Sequence, residues 1–137
     1  MKKLPNNPNI IRFQDFFETD SLSFLVMEYC DGGDLETYLE KNNTLKEDVV
    51  IDMMKQLFNG FRAMNEFNAI HGNIELPNIL FNKGELKIAD FGLSEKINEI
   101  MVYDEIFPTY FNMAPEIIEE KKYLIKADIY SLGVIFY

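Results

Sequence analysis

His71-Gly72-Asn73-Ile74-Glu75-Leu76-Pro77-Asn78, followed at a short distance by Lys87-Ile88-Ala89-Asp90-Phe91-Gly92-Leu93, is the stretch whose reading decides the fold. Between the two motifs, the apolar pieces Ile79-Leu80-Phe81 and Leu86-Lys87-Ile88 flank Asn82-Lys83-Gly84-Glu85, a pattern that predicts a β-hairpin. A loop rich in hydrogen-bonding groups thus enters the hairpin, and an Asp-Phe-Gly turn leaves it. Upstream, Thr44-Leu45-Lys46-Glu47 spells a capping box. Val50, Met54, Leu57, Phe61 and Met64 then recur at helical spacing and predict one buried stripe on a long helix.

Further out, residues 10–17 and 22–29 are β-branched and aromatic runs separated by Glu18-Thr19-Asp20-Ser21, which predicts a strand pair. Asp31-Gly32-Gly33 reads as a turn, with Asp34 as N-cap of a short helix to about residue 40, ended by Asn42-Asn43. Downstream of the Asp-Phe-Gly turn, an irregular stretch is expected to about Met113. Pro115 then opens a short helix, and an apolar one runs over residues 128–137. A loop that long inside a compact domain is usually functional.

The chain has 137 residues, 47% of them apolar, which is room for one domain with a core of its own. Its formal net charge is −10, and Arg12 and Arg62 are its sole arginines, so it lacks the basic footprint of a nucleic-acid binder. Cys30 is the only cysteine, which excludes an internal disulfide and any multi-cysteine zinc site, and suits a reducing compartment. Neither a signal peptide nor an apolar run of membrane-spanning length is present, so a soluble, cytoplasmic protein without membrane partners is expected. The apolar terminus Leu132-Gly133-Val134-Ile135-Phe136-Tyr137 carries no stop signal and suggests that the chain is a fragment.

Taken in order, the motifs at 71–78 and 87–93, then Met113-Ala114-Pro115-Glu116 and Lys126-Ala127-Asp128-Ile129-Tyr130-Ser131-Leu132-Gly133, resemble those of the eukaryotic protein kinase family, serine/threonine type. The resemblance covers essentially the whole chain. It implies an α+β, protein-kinase-like fold, mostly the helical C-terminal lobe and truncated at both ends. Residues 1–30 would be small-lobe strands and hinge, and residues 31–137 the large lobe up to its central helix. The family's glycine-rich loop, strand lysine and small-lobe helix glutamate would lie before the first residue.

A site for ATP with Mg2+ is implied as well. Met27 resembles the gatekeeper, Glu28 and Cys30 the hinge positions whose backbone meets adenine, Asp34 a ribose contact and Leu80 the floor of the adenine pocket. Asn78 and Asp90 match the magnesium ligands, oxygen donors suited to a hard cation. Thr109 matches a threonine that contacts the catalytic aspartate. His71 matches a position that packs beneath the Phe of Asp-Phe-Gly, here Phe91, and the Asp31–Asp34 segment serves equally as a turn and helix cap.

The departures concern catalysis. Active members carry an aspartate at position 73 and a lysine at position 75; this chain has Asn73 and Glu75. An amide can accept a hydrogen bond from a substrate hydroxyl but cannot take its proton, and general-base catalysis is worth roughly 10²–10⁴-fold. At about 4 Å and an effective dielectric of about 20, placing Glu75 where a lysine belongs turns an attraction of roughly 4 kcal/mol for the phosphoryl group into a repulsion of similar size. Gly72 replaces the arginine that receives an activation-loop phosphate, and Pro108 and Asn112 replace the usual Gly and Tyr. Three readings stay open: a pseudokinase with a regulatory or scaffolding role toward protein partners, a functional Ser/Thr kinase with an unorthodox catalytic loop acting on a protein substrate, and a truncated reading frame without separate function.

Overall fold

A computed structural model of the chain describes residues 6–91, 95–96, 101–102, 112–120, 122–123 and 125–137. Strands β1 (Phe13–Glu18) and β2 (Ser23–Met27) form an antiparallel hairpin from Phe13↔Met27 to Glu18↔Ser23, with a shift of register between Phe13 and Asp15. Both are shorter than expected, and the late start of β1 has a tertiary reason. Ile10 and Ile11, which the β-branched and aromatic run assigns to the first strand, are 3% and 4% exposed and belong to the main core. The Ile88 N–H donates to the Asn9 carbonyl and the Ile11 N–H to the Ile88 carbonyl, both at 2.9 Å.

Helix α1 (Leu35–Lys41) starts at Asp34 as expected, and the Asn42 side chain closes it on the Tyr38 carbonyl at 2.8 Å. Helix α2 (Glu47–Glu66) does not use the capping box. Its N-cap is Lys46, whose carbonyl accepts from the Val50 N–H at 3.1 Å, so the hydroxyl of Thr44 sits two residues too early to cap. The Asp48 carboxylate instead accepts from the Val49 N–H at 3.0 Å and serves one of the orphan first-turn donors. The buried face is Met53, Leu57, Gly60, Phe61, Ala63 and Met64; Val50 and Met54, named in the sequence stripe, are half-buried.

After β3 (Ala69–Ile70) and a 3-10 turn (Leu76–Asn78), the expected hairpin forms as β4 (Ile79–Asn82) and β5 (Glu85–Ile88). Lys83 and Gly84 have φ of 52° and 86°, the paired positive values of a two-residue turn that matches strand twist. The stretch expected to be irregular contains two short strands: β6 (Glu95–Lys96) pairs with β3, and β7 (Met101–Val102) with β8 (Lys122–Tyr123). Pro115 opens α3 (Pro115–Glu120) as expected, whereas α4 (Ile125–Ile135) starts three residues before Asp128.

The core joins α2 to the β4–β5 hairpin and the base of α4 through Leu57, Met64, Ile79, Leu86, Ile88 and Leu132, each under 2% exposed. Gly60 permits this approach, because a Cβ there would lie 2.7 Å from the Asn9 carbonyl oxygen. Asn9 is itself locked in place. Its amide donates to the Leu86 carbonyl at 2.8 Å and accepts from Asn59 Nδ2 at 2.8 Å. Among the described residues, no helix is long and apolar enough to cross a membrane.

Candidate active site

The loop after β3 is fixed from below by one carboxylate. Asp128, fully buried in the first turn of α4, accepts from the His71 N–H at 2.8 Å and the Gly72 N–H at 3.1 Å. Gly72 sits at φ 81°, a left-handed conformation that a glycine adopts without strain. His71 is also fully buried, with its ring 4.7 Å from that of Phe91, as the sequence implied. Its Nε2 lies 2.8 Å from the Ala89 carbonyl oxygen and its Nδ1 accepts from the Asn73 N–H at 3.2 Å. A carbonyl only accepts, so Nε2 carries the proton and the imidazole is neutral. Burial pushes its pKa below the usual 6.5 despite the Asp128 carboxylate, which pulls the other way. His71 is a structural pillar rather than a base.

Asn73, Glu75 and Asn78 are brought together by this loop. Asn78 Nδ2 donates to the Asn73 carbonyl at 2.9 Å and lies 3.3 Å from Glu75 Oε1, so the amide oxygen is the atom presented for a cation. The Ala89 N–H donates to the Asn78 carbonyl at 2.8 Å, which places Asp90 one residue from the same point. Asp90 is exposed and adopts φ 60°, rare for a non-glycine residue and common at functional turns. The donor set is all oxygen, which suits magnesium. Among the described residues no three His, Cys, Asp or Glu side chains converge on a metal position.

Of the expected adenine-side residues, Glu28, Cys30 and Asp34 lie on the segment after β2, which runs along β4, the strand that carries Leu80. Met27 ends β2 and is 37% exposed, while Cys30 and Leu80 are half-buried against the core. Burial, then the Glu28 carboxylate, pushes the Cys30 thiol up, so it is protonated at neutral pH. Asp34 pairs with Leu80 through a β-bridge, and both of its carboxylate oxygens hold Thr37, at 2.7 Å to the N–H and 3.0 Å to the hydroxyl. The Thr37 N–H holds its carboxyl below the usual range, so its cap role is plain. Gly32 lets this segment lie on β4, since a Cβ there would be 2.5 Å from Phe81 Cβ.

The Glu28 side chain is committed to the scaffold. It accepts from the Arg12 N–H at 2.7 Å, from Asn82 Nδ2 at 3.0 Å and from Lys87 Nζ at 3.1 Å. Thr109 and Pro108 lie outside the described residues; Asn112 is half-buried, and its carbonyl accepts from the Ser131 hydroxyl at 2.6 Å. The roles of Asp128, Lys87 and Gly60 were missed by sequence reasoning. Asp128 and Lys87 each lay inside a quoted motif, but neither motif pointed to the role the side chain takes; Gly60 had no signal.

The protein kinase domain family matches residues 1–137, the full chain. This chain belongs to the protein kinase domain family. It is 38% identical over 136 residues to Serine/threonine-protein kinase ATG1a of Arabidopsis thaliana, covering 96% of this chain and 22% of that protein. Identity to Serine/threonine-protein kinase dst1 of Dictyostelium discoideum is 38% over 131 residues, covering 94% of this chain and 18% of that protein. For human Serine/threonine-protein kinase ULK1 it is 35% over 139 residues, with 94% and 13% covered. The chain therefore spans about a fifth or less of the length of these relatives. The protein kinase domain family generally uses ATP and Mg2+, and these relatives are Ser/Thr protein kinases.

Proposed function

We propose that this protein kinase domain is a catalytically impaired, pseudokinase-type member that acts through protein partners in the cytoplasm. The observation that carries the reading is the Glu75 carboxylate 3.3 Å from the Asn78 amide, in the loop that also holds Asn73. ATP with Mg2+ supplies the phosphoryl group and the charge that holds it, and Asn78 and Asp90 are the residues that would ligate the metal. Asn73 can orient a substrate hydroxyl through its amide oxygen but cannot accept the proton, so the nucleophile stays unactivated. Glu75 adds negative charge beside the transferring group, where transition-state stabilisation needs a cation. His71 cannot substitute as base, because both ring nitrogens are engaged and the ring is fully buried.

Retention of Asn78 and Asp90 favours a second reading, a slow Ser/Thr kinase that binds Mg2+-ATP and turns over poorly. One assay separates the two. The protein carrying this segment is given labelled ATP, Mg2+ and casein, alone and with Asn73→Asp and Glu75→Lys combined. The pseudokinase reading expects negligible transfer by the unmodified protein and a gain of at least about 10²-fold in kcat for the double variant, with little gain from either change alone. Brisk turnover by the unmodified protein would refute it.

A further inference from the structure

Asn59-Gly60 is the sole Asn-Gly pair in the chain, and it lies in the interior of α2, where Asn59 is half-buried and Gly60 buried. In such a pair no Cβ shields the glycine nitrogen, so that nitrogen can close a ring on the asparagine side chain. Asn59 is also a joint. Its Nδ2 donates to Asn9 Oδ1 at 2.8 Å, its Oδ1 accepts from the Arg62 guanidinium at 3.4 Å, and its carbonyl accepts from Asn7 Nδ2 at 3.5 Å. On the far side of the joint, the Asn9 carbonyl accepts from the Ile88 N–H at 2.9 Å and its amide donates to the Leu86 carbonyl at 2.8 Å. Helix α2 thus reaches β5 through the Asn59–Asn9 contact.

We propose that Asn59 is a site of non-enzymatic deamidation gated by α2, and that the product irreversibly unlocks this joint. The Gly60 nitrogen attacks Asn59 Cγ and gives its proton to water; the Cγ–Nδ2 bond breaks, ammonia leaves and a succinimide remains. Water then adds to either ring carbonyl, and the ring opens to an aspartyl or an isoaspartyl residue. Within the helix the attack cannot begin, because the Gly60 N–H is spent on the carbonyl one turn back and the helical ψ of Asn59 aims the nitrogen away from Cγ. Local opening of α2 therefore sets the rate. Reclosure then fails. A carboxylate has no N–H for Asn9 Oδ1 and sets oxygen against oxygen. Turning the Asn9 amide over to compensate would break its bond to the Leu86 carbonyl. An isoaspartyl residue also adds a methylene to the main chain, where Gly60 packs so closely on Asn9 that a Cβ would lie 2.7 Å from the Asn9 carbonyl oxygen.

Ageing the protein that carries this segment in mildly alkaline buffer, with and without denaturing urea, tests the proposal; residues 56–62 form one tryptic peptide, in which mass spectrometry follows the change of amide to acid. Conversion at Asn59 should be at least about tenfold slower in the native protein, since only the opened fraction reacts. Asn9→Ala removes the partner across the joint, whereas Leu39→Ala weakens the packing of α1 against the core. Compared at urea concentrations that give equal global stability, Asn9→Ala should convert at least about threefold faster than Leu39→Ala. The deamidated fraction, separated by ion exchange, should melt below the parent, and Asn59→Asp should reproduce part of that fall in Tm. Equal rates in native and unfolded protein, equal rates in the two variants, or an unchanged Tm after deamidation would each overturn the proposal.

Discussion

Lys87 Nζ lies 3.1 Å from Glu28 Oε1, with the two side chains only 9% and 12% exposed, and the same ammonium donates to the Pro8 carbonyl at 2.9 Å. The pair ties the segment after β2 to β5 and to the chain before Ile10, so the hinge side is bolted to the core beneath it. Such a pair is more informative through what its disruption strands than through its net worth.

Removing Lys87 leaves a largely buried carboxylate without its cation. Lys87→Met should lower stability by about 2–3 kcal/mol, and adding Glu28→Gln should recover part of the loss, because the stranded charge is then gone. Urea melts of the two single variants and the double variant read the coupling directly. Additive losses would show that the pair is not coupled.

Acid should weaken the fold in two stages. Burial lowers the pKa of His71 below 6.5, so the neutral ring contributes fully above 6.5 and progressively less as pH falls from there toward its folded value. Burial raises the pKa of Glu28, but the Arg12 N–H and Lys87 outweigh it and leave the pKa below 4.5; its contribution is present above 4.5 and is lost below. Stability should therefore fall by up to about 1.4 kcal/mol per pH unit below 6.5, with a steeper decline below 4.5. Urea melts from pH 7.5 to 3.5 check this, and Glu28→Gln should lessen the second stage and leave the first unchanged, since the Asp34 carboxyl is held low as well. Imidazole 15N shifts at pH 7 should show a neutral, Nε2-protonated ring.

Gly60 tests the close approach of α2. In an exposed helix interior, Gly→Ala would stabilise by about 1 kcal/mol. Here the new methyl meets the Asn9 carbonyl at 2.7 Å, so Gly60→Ala should destabilise instead, by about 1–3 kcal/mol. Thermal unfolding gives the sign, and a rise in Tm would contradict the packing.

Glu75 and Asn73 should separate in nucleotide binding. Glu75→Lys replaces repulsion with attraction at the phosphates and should tighten Mg2+-ATP binding by roughly fivefold or more, as expected for a charge swap in a partly solvated cleft. Asn73→Asp acts on a proton rather than on the nucleotide, and should leave affinity within about twofold. Titration calorimetry resolves the two, and equal effects would place Glu75 away from the phosphates.

What the sequence determined by itself is local. Lys83-Gly84 set the β4–β5 turn, because a two-residue hairpin needs positive φ at both central positions. Asp34 announced α1, since its carboxylate reaches the Thr37 N–H within one turn. The motif order from His71 to Asp128 announced the family because each motif is short and contiguous. Only the tertiary structure decided the rest. Glu28 and Lys87 read singly as solvated charges and become a buried pair only when β2 and β5 converge. Asp128 reads as a helix residue until its carboxylate meets the His71 and Gly72 N–H groups, 57 and 56 positions away. The start of α2 moved from Thr44 to Glu47 although Thr44-Leu45-Lys46-Glu47 has capping-box chemistry. Local motifs speak through backbone and side-chain geometry within a few residues. Which distant groups are desolvated together depends on which surfaces meet, and no short window of sequence contains that.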